Sequence, residues 1–326
     1  MSLSRHDPDA VNALAEAVAR GADALRIPNG VPIVLAISGG PDSTALLHGA
    51  AHLAPSRGWR LTVAHLDHAL RTESAEDAAA VGRSAGGLRL PFATHRVDVA
   101  ALARAEHRSM EDAGRQARYR FLEEVAAELG SDALIATAHT ADDAAETILL
   151  RLARGSGLRG LRGIPARRGR VVRPLLGERR SALRGALDAA GIAFSTDPTN
   201  DDPAHASRNR VRAEVLPALE RLNPSAVEAL IRFGRLAADD DDLLDGLAIA
   251  ELARRRDADD GTLDWHNPPS RALGRRVLRT AIGEPTPAAE RIEALLDAAE
   301  GPRGGLTIEL GGGRGASVVG RRIRLS

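Results

Sequence analysis

Ser38-Gly39-Gly40-Pro41-Asp42-Ser43 sits between the apolar residues Val31 to Ile37 and the run Thr44-Ala45-Leu46-Leu47. A strand, a Gly-rich turn and a helix start, in that order, aim backbone N–H groups at one point and suit a bound anion. Gly39 and Gly40 allow close backbone approach and a positive φ. Ser38 and Ser43 add hydroxyl donors. Asp42 belongs beside a phosphate only if a metal ion stands between the two. The six residues therefore suit a metal-bound polyphosphate. The loop matches neither G-x-x-x-x-G-K-[ST] nor G-x-G-x-x-G. All 44 basic side chains are arginine, so no lysine is present to clamp phosphate or form a Schiff base.

A second candidate lies in Ala138-His139-Thr140-Ala141-Asp142-Asp143-Ala144-Ala145-Glu146-Thr147. Asp143 and Glu146 are spaced i, i+3 and share a helix face. Two carboxylates near a phosphate loop can ligate Mg²⁺ or act as a general base, whereas Asp142 reads as an acid that complements the helix dipole. His65-Leu66-Asp67-His68-Ala69-Leu70-Arg71 offers only a partial metal-ligand set. There His65 reads as a nucleotide-pocket residue and Asp67 as a loop-fixing acceptor. Between Glu111 and Leu122, Arg115 and Arg118 are again i, i+3 and can meet phosphates. A surface helix laced with Glu111–Arg115 pairs is the equal alternative.

Between residues 151 and 184, eleven arginines, Arg154 and Arg159 among them, face a single acid, Glu178. Arg208, Arg210 and Arg212 follow. Clustered arginine on Gly-rich backbone is the footprint of a nucleic-acid backbone site. The competing explanation is a genome rich in arginine codons, but acids are scarce only in this stretch. Asp239 to Asp242 reads as a solvated helix face.

These groups need a scaffold. Apolar runs at 31–37, 61–64, 92–97, 133–138 and 171–172 alternate with helical patterns at about 9–26, 109–129 and 139–154, which predicts a doubly wound parallel sheet. Ligands in such sheets bind outside the carboxyl ends of the strands, and the loop, the His65 cluster and the Asp143–Glu146 pair all fall there. After Pro217 the pattern changes to helices at about 224–256 and 270–300, then short alternating strands around Gly311-Gly312-Gly313. The expected division is a catalytic α/β domain over 1–217 and a smaller, mainly helical domain over 218–326.

The chain has 326 residues, 44 basic and 44 acidic, and no cysteine. The absence of cysteine excludes Cys-ligated zinc, iron–sulfur clusters and Cys nucleophiles. No apolar run approaches the roughly 20 residues of a membrane span, and no secretory signal is evident. A cytoplasmic protein with no membrane partner is expected, with a homodimer left open.

The loop resembles the SGG-x-D-S loop of the N-type ATP pyrophosphatases, which split ATP into AMP and pyrophosphate. Together with His65 to Arg71, Glu111 to Tyr119, Ala138 to Leu161, Asp197-Pro198-Thr199-Asn200 and Arg208-Asn209-Arg210-Val211-Arg212, it is similar to the tRNA(Ile)-lysidine synthetase family. That resemblance implies a PP-loop fold of the adenine-nucleotide alpha-hydrolase type. The implied reaction activates the wobble cytidine of a tRNA(Ile) with a CAU anticodon, using ATP and Mg²⁺. Free L-lysine then displaces AMP. Ser38 to Ser43, His65 and His139 would hold the nucleotide. Asp42 and Asp143 would ligate the metal, and Glu146 would orient or deprotonate the lysine amine. Arg118 would stabilise the adenylate. Arg154, Arg159, Arg208, Arg210 and Arg212 would hold tRNA, with the helical domain adding to that surface. The chain departs from the family at Thr140, where a second His is common, and at Ala144, where Gln is common. It also leads to the expectation of one small terminal domain, without the further domain of longer members. A thiolating relative would need cysteine. An ammonia-using synthetase acting on a small molecule leaves the arginine run without purpose, and a non-enzymatic RNA binder leaves the carboxylates without one.

Overall fold

The computed structural model describes residues 7–68, 74–195, 207–301 and 305–326. Arg71 and the Asp197–Asn200 segment lie outside the described residues. Two compact units divide the chain, Met1–Gly234 and Arg235–Ser326.

In the first unit, strands β1 (Pro32–Ala36), β2 (Arg60–Asp67), β3 (Phe92–Arg96), β4 (Leu134–Thr137), β5 (Arg167–Arg168) and β6 (Val171–Val172) form one sheet in the order β3-β2-β1-β4-β6-β5. All neighbours pair in parallel except β5, which runs antiparallel to β6. The doubly wound parallel sheet expected from the alternating runs is present. The order reverses at β1, so β1 and β4 flank the switch point where such sheets open a crevice.

Helix α1 (Pro8–Ala24) precedes β1, helices α2 (Pro41–Arg57), α3 (Ser74–Gly87), α4 (Val99–Ala105), α5 (Met110–Leu129), α6 (Ala141–Ala153) and α7 (Leu158–Leu161) lie between strands, and α8 (Arg180–Ala189) follows β6. The period-2 direction of strand side chains sorts β1 between two cores. Ile33 and Leu35 pack with residues of α1, α2, α3 and α8, while Val34 packs with Ala117, Phe121, Leu122 and Val125 of α5. After α8 come α9 (Ser207–Arg210), a π-turn at Val211–Val215 and α10 (Leu216–Leu222).

Two glycines set the approach of α1. An added Cβ at Gly49 of α2 would lie 2.6 Å from the Leu14 carbonyl oxygen, and one at Gly21 would overlap the Pro174 carbonyl oxygen. Gly21→Ala should lower stability by about 3 kcal/mol, since the backbone it strikes cannot rotate away. Urea denaturation would show it, and an unchanged midpoint would contradict this packing.

The second unit contains most of α11 (Ala226–Arg255), with β7 (Leu263–Asp264), α12 (Arg271–Ile282), α13 (Ala289–Glu300), β8 (Leu306–Gly311), β9 (Arg314–Val319) and β10 (Arg322–Leu325). Its antiparallel sheet has the order β7-β10-β9-β8. Trp265, Val277, Leu278, Leu295 and Ile323 fill its core. The expected solvated face at Asp239–Asp242 is corrected for one residue. Asp241 is fully buried and accepts from Arg276 Nη2 at 2.6 Å, because the helical turn rotates it inward toward α12. No helix among the described residues is long and apolar enough to cross a membrane.

Candidate active site

The loop after β1 is held by its own serine. Gly39 takes φ +92, a conformation that favours glycine. Ser43 Oγ accepts from the backbone N–H of Ser38 at 3.2 Å and of Gly39 at 3.1 Å, and donates to the Gly40 carbonyl at 2.9 Å. Gly40 caps α2 with no side chain and Pro41 starts it, leaving the helix N-terminus open toward an anion. The Gly39 carbonyl accepts from the Ser195 N–H at 2.9 Å.

At the end of β4, Thr140 and Asp143 form a capping box on α6. Asp143 Oδ2 accepts from the Thr140 N–H at 2.9 Å and from the Thr140 hydroxyl at 3.0 Å. Thr140 thus serves as a helix cap. Asp143 Oδ1 is left to face the loop.

The predicted acids meet there. Asp42, Asp143 and Glu146 converge on a residue that the sequence reading did not single out, Arg180 at the start of α8. Its Nε donates to Asp42 Oδ2 at 3.0 Å, its Nη2 to Asp143 Oδ1 at 2.9 Å, and its Nη1 to Glu146 Oε1 at 3.1 Å. Burial pulls the Arg180 guanidinium down, but these carboxylates outweigh it and raise it above its ordinary value. Burial also pushes Asp42 up, and Arg180 only partly offsets that. For Asp143, burial is overcome by Arg180 and the Thr140 donors, which hold its carboxyl below the usual range.

Glu146 is fully buried. Besides Arg180 it accepts from Arg212 Nε at 2.8 Å and Nη2 at 3.2 Å, and Arg208 Nε stands 3.3 Å from Oε2. Arg208 Nη2 donates to the Thr147 hydroxyl at 2.9 Å. Two of the arginines assigned to tRNA from sequence therefore turn into the carboxylate cluster, while Arg210 is exposed. Glu146 thus has guanidinium donors on both oxygens.

Asp142 is also more than a dipole complement. It is buried and accepts from Arg179 Nη2 at 3.2 Å and from the Arg180 backbone N–H at 2.8 Å. Arg179 continues to Glu220 at 2.6 Å and Glu228 at 3.3 Å. Adjacent arginines thus face opposite ways, and the backbone of α8 is pinned between them.

The basic stretch carries less free charge than its density implies. Arg151 donates to the carbonyls of Gly160 and Gly163, Arg173 to that of Pro165, and Arg184 stacks over Phe194. Arg154, Arg159, Arg167 and Arg168 remain exposed.

The histidines line the strand ends. His65 is buried and its Nδ1–H donates to the Ile37 carbonyl at 2.8 Å, tying β2 to the loop. His68 Nε2 accepts from Arg118 Nη2 at 2.9 Å, and Asp67 lies 3.5 Å from Arg96. His139 Nδ1 lies 2.9 Å from the Thr137 hydroxyl. Burial, then the Arg118 charge, lowers His68 to about 4, and burial lowers His139 to about 4.

Both imidazoles are therefore neutral in the fold, while an unfolded chain would take up their protons below about 6.5. Stability should fall as pH drops from about 6.5 toward 4, by about 1–2 kcal/mol per histidine after allowing for solvent screening. Urea midpoints at pH 7 and 4.5 test this. A His68→Asn/His139→Asn double variant should lose less between the two pH values, and an equal loss would refute the assignment.

No set of three or more His, Asp or Glu side chains among the described residues is arranged to hold a metal ion. A hard cation bound with polyphosphate needs fewer, because it takes one or two carboxylates and completes its shell with phosphate and water. Asp42 and Asp143 fit that requirement. Asp42 Oδ1 is buried and lacks any hydrogen-bond partner, so a donor atom beside the phosphate loop is unclaimed.

The fold, the glycine loop and the acids after β4 define a PP-loop protein, and a family model described as a PP-loop domain matches residues 14–219. Curated relatives narrow this. A tRNA(Ile)-lysidine synthase of Thermus thermophilus is 46% identical over 228 residues, covering 70% of this chain and 43% of the relative. One from Salinispora tropica is 46% identical over 243 residues, covering 73% and 71%. The chain belongs to the tRNA(Ile)-lysidine synthase family. It spans less than half the length of the Thermus relative. Among solved structures, a U34-tRNA thiolase from Methanococcus maripaludis superposes with TM-score 0.58 at 13% identity, covering 73% of this chain and 85% of that one, a likeness of fold alone.

Proposed function

We propose that this protein is a C–N bond-forming ligase that adenylates the wobble cytidine of a tRNA(Ile) with a CAU anticodon and joins free L-lysine to C2, releasing AMP and pyrophosphate. The observation that carries the reading is the convergence of Asp42, Asp143 and Glu146 with Arg180, Arg208 and Arg212 beside the loop after β1. Family membership supplies the substrate class.

In this reading the backbone of Ser38 to Ser43 and the N-terminus of α2 cradle pyrophosphate. Asp42 and Asp143 would hold Mg²⁺, which supplies charge neutralisation on the leaving group. Arg118, exposed and hydrogen-bonded to His68, would meet the adenylate phosphate. His65 and His139 would border the nucleotide, His139 as a neutral side chain. Glu146 fixes the guanidiniums that face the reacting phosphate rather than taking the lysine proton itself. Arg154, Arg159 and Arg210, all exposed, are offered to the tRNA backbone, with the unit beyond α10 as a further tRNA-binding surface.

AMP and pyrophosphate release that requires the tRNA and lysine together tests the proposal. Release driven by ammonia without tRNA would replace it with small-molecule amidation. If about five phosphates are contacted, log affinity for the tRNA should fall with log salt at a slope of about −4 to −5. Filter binding across a salt series reads that slope, and a flat response would remove the backbone contacts.

A further inference from the structure

Arg180 spends its nitrogens on three different carboxylates and makes a paired fork with none of them. Guanidinium ordinarily prefers the bidentate pairing, which Arg212 makes with Glu146. Two of the three acids that Arg180 holds are those whose oxygens suit a divalent cation. Its backbone is fixed by the Asp142 contact to its N–H, while its side chain hangs over the loop. The cluster as a whole is balanced, with Asp42, Asp143 and Glu146 facing Arg180, Arg208 and Arg212. A magnesium-bound nucleoside triphosphate brings a divalent cation and a larger negative charge into this neutral setting. The cation competes for the same carboxylate oxygens, and the phosphates call for a guanidinium.

We propose that Arg180 is an internal counter-cation, holding Asp42 and Asp143 until a divalent cation replaces it, then turning its guanidinium onto the phosphate oxygens of the bound nucleotide. The inference rests on the proposed nucleotide chemistry of this site. It deepens that reading by assigning one residue two successive partners. Arg208 and Arg212 keep their hold on Glu146 throughout, which leaves the wall of the site standing while Arg180 moves. The unclaimed Asp42 Oδ1 is the first oxygen the cation would meet.

The test uses the full chain without tRNA or lysine, so its outcome is separate from that of the lysine-ligation reading. Mg²⁺ alone is titrated calorimetrically into wild type, Arg180→Gln and Arg180→Lys. Removing the competing guanidinium should tighten Mg²⁺ binding by tenfold or more in Arg180→Gln and by several-fold in Arg180→Lys. In EDTA the Arg180→Gln melting temperature should lie below wild type and rise on Mg²⁺ addition by more than wild type does. A non-hydrolysable ATP analogue with Mg²⁺ should bind at least tenfold more weakly to Arg180→Gln. Mg²⁺ affinity equal to or below wild type would overturn the competition, and unchanged analogue affinity would overturn the turn toward phosphate. Should Arg180→Gln fail to fold, Arg180→Lys decides both points by the same criteria.

Discussion

Asp143→Asn is expected to lower tRNA- and lysine-dependent AMP release by about a hundred- to a thousandfold, the size of loss typical for removal of one preorganised electrostatic partner of a reacting group. The two oxygens of Asp143 do different work. Oδ2 closes the cap of α6 through Thr140, and Oδ1 faces Arg180. An amide can keep one acceptor for the cap but loses the charge proposed to hold a cation near the loop. The structural cost should stay near 1–2 kcal/mol, within the range for a weakened cap. Single-turnover AMP release measured beside a thermal melt separates the two effects. Release within threefold of wild type, in a folded variant, would remove Asp143 from the proposed chemistry.

Glu146→Ala is expected to destabilise the first unit by about 3–5 kcal/mol, the cost of breaking a buried ion pair by removing one partner. Glu146 is fully buried, and Arg180, Arg208 and Arg212 all lie within ion-pair distance of it. Without its charge, Arg208 and Arg212 lose their nearest carboxylate, while Arg180 keeps only Asp42 and Asp143. Glu146→Gln should be milder, because its amide oxygen still accepts from Arg212. Urea denaturation followed by far-UV circular dichroism would read the loss. A change below about 1 kcal/mol for the alanine variant would mean that the guanidiniums find other partners and that Glu146 is not the anchor.

Much of the scaffold was legible because it rests on local signals. The strand–turn–helix order around Ser38 to Ser43, the alternation of Ile33, Val34 and Leu35, and the start of α6 at Thr140 all arise from neighbours a few residues apart. Helices at 226–255, 271–282 and 289–300 came from periodicity alone, although the break between the last two was not foreseen. It falls where Gly283 takes a positive φ. The short helix α4 was also missed, since a seven-residue segment carries too few turns for a period to stand out.

Charge partners were legible only in part. The i, i+3 spacing placed Asp143 and Glu146 on one face, and the loop motif placed Asp42 near phosphate. Nothing in the run Glu178-Arg179-Arg180 distinguishes one arginine from the next, yet Arg179 turns to Asp142, Glu220 and Glu228 while Arg180 reaches Asp42, 138 residues away. Arginine density between 151 and 184 suggested a single outward surface, whereas Arg151, Arg173 and Arg184 are spent on carbonyls and a ring. Asp241, one of four consecutive acids, is buried against Arg276 for the same reason.

The sequence by itself determined that a parallel sheet would present a glycine loop, histidines and a carboxylate pair at its strand ends, since those features depend on local geometry and period. The tertiary structure alone decided which guanidinium answers which carboxylate. A charge's partner is set by where the chain returns in space, and β6 brings α8 back across the mouth of the loop. That return converts Asp42, Asp143 and Glu146 from separate acids into one cluster closed by Arg180.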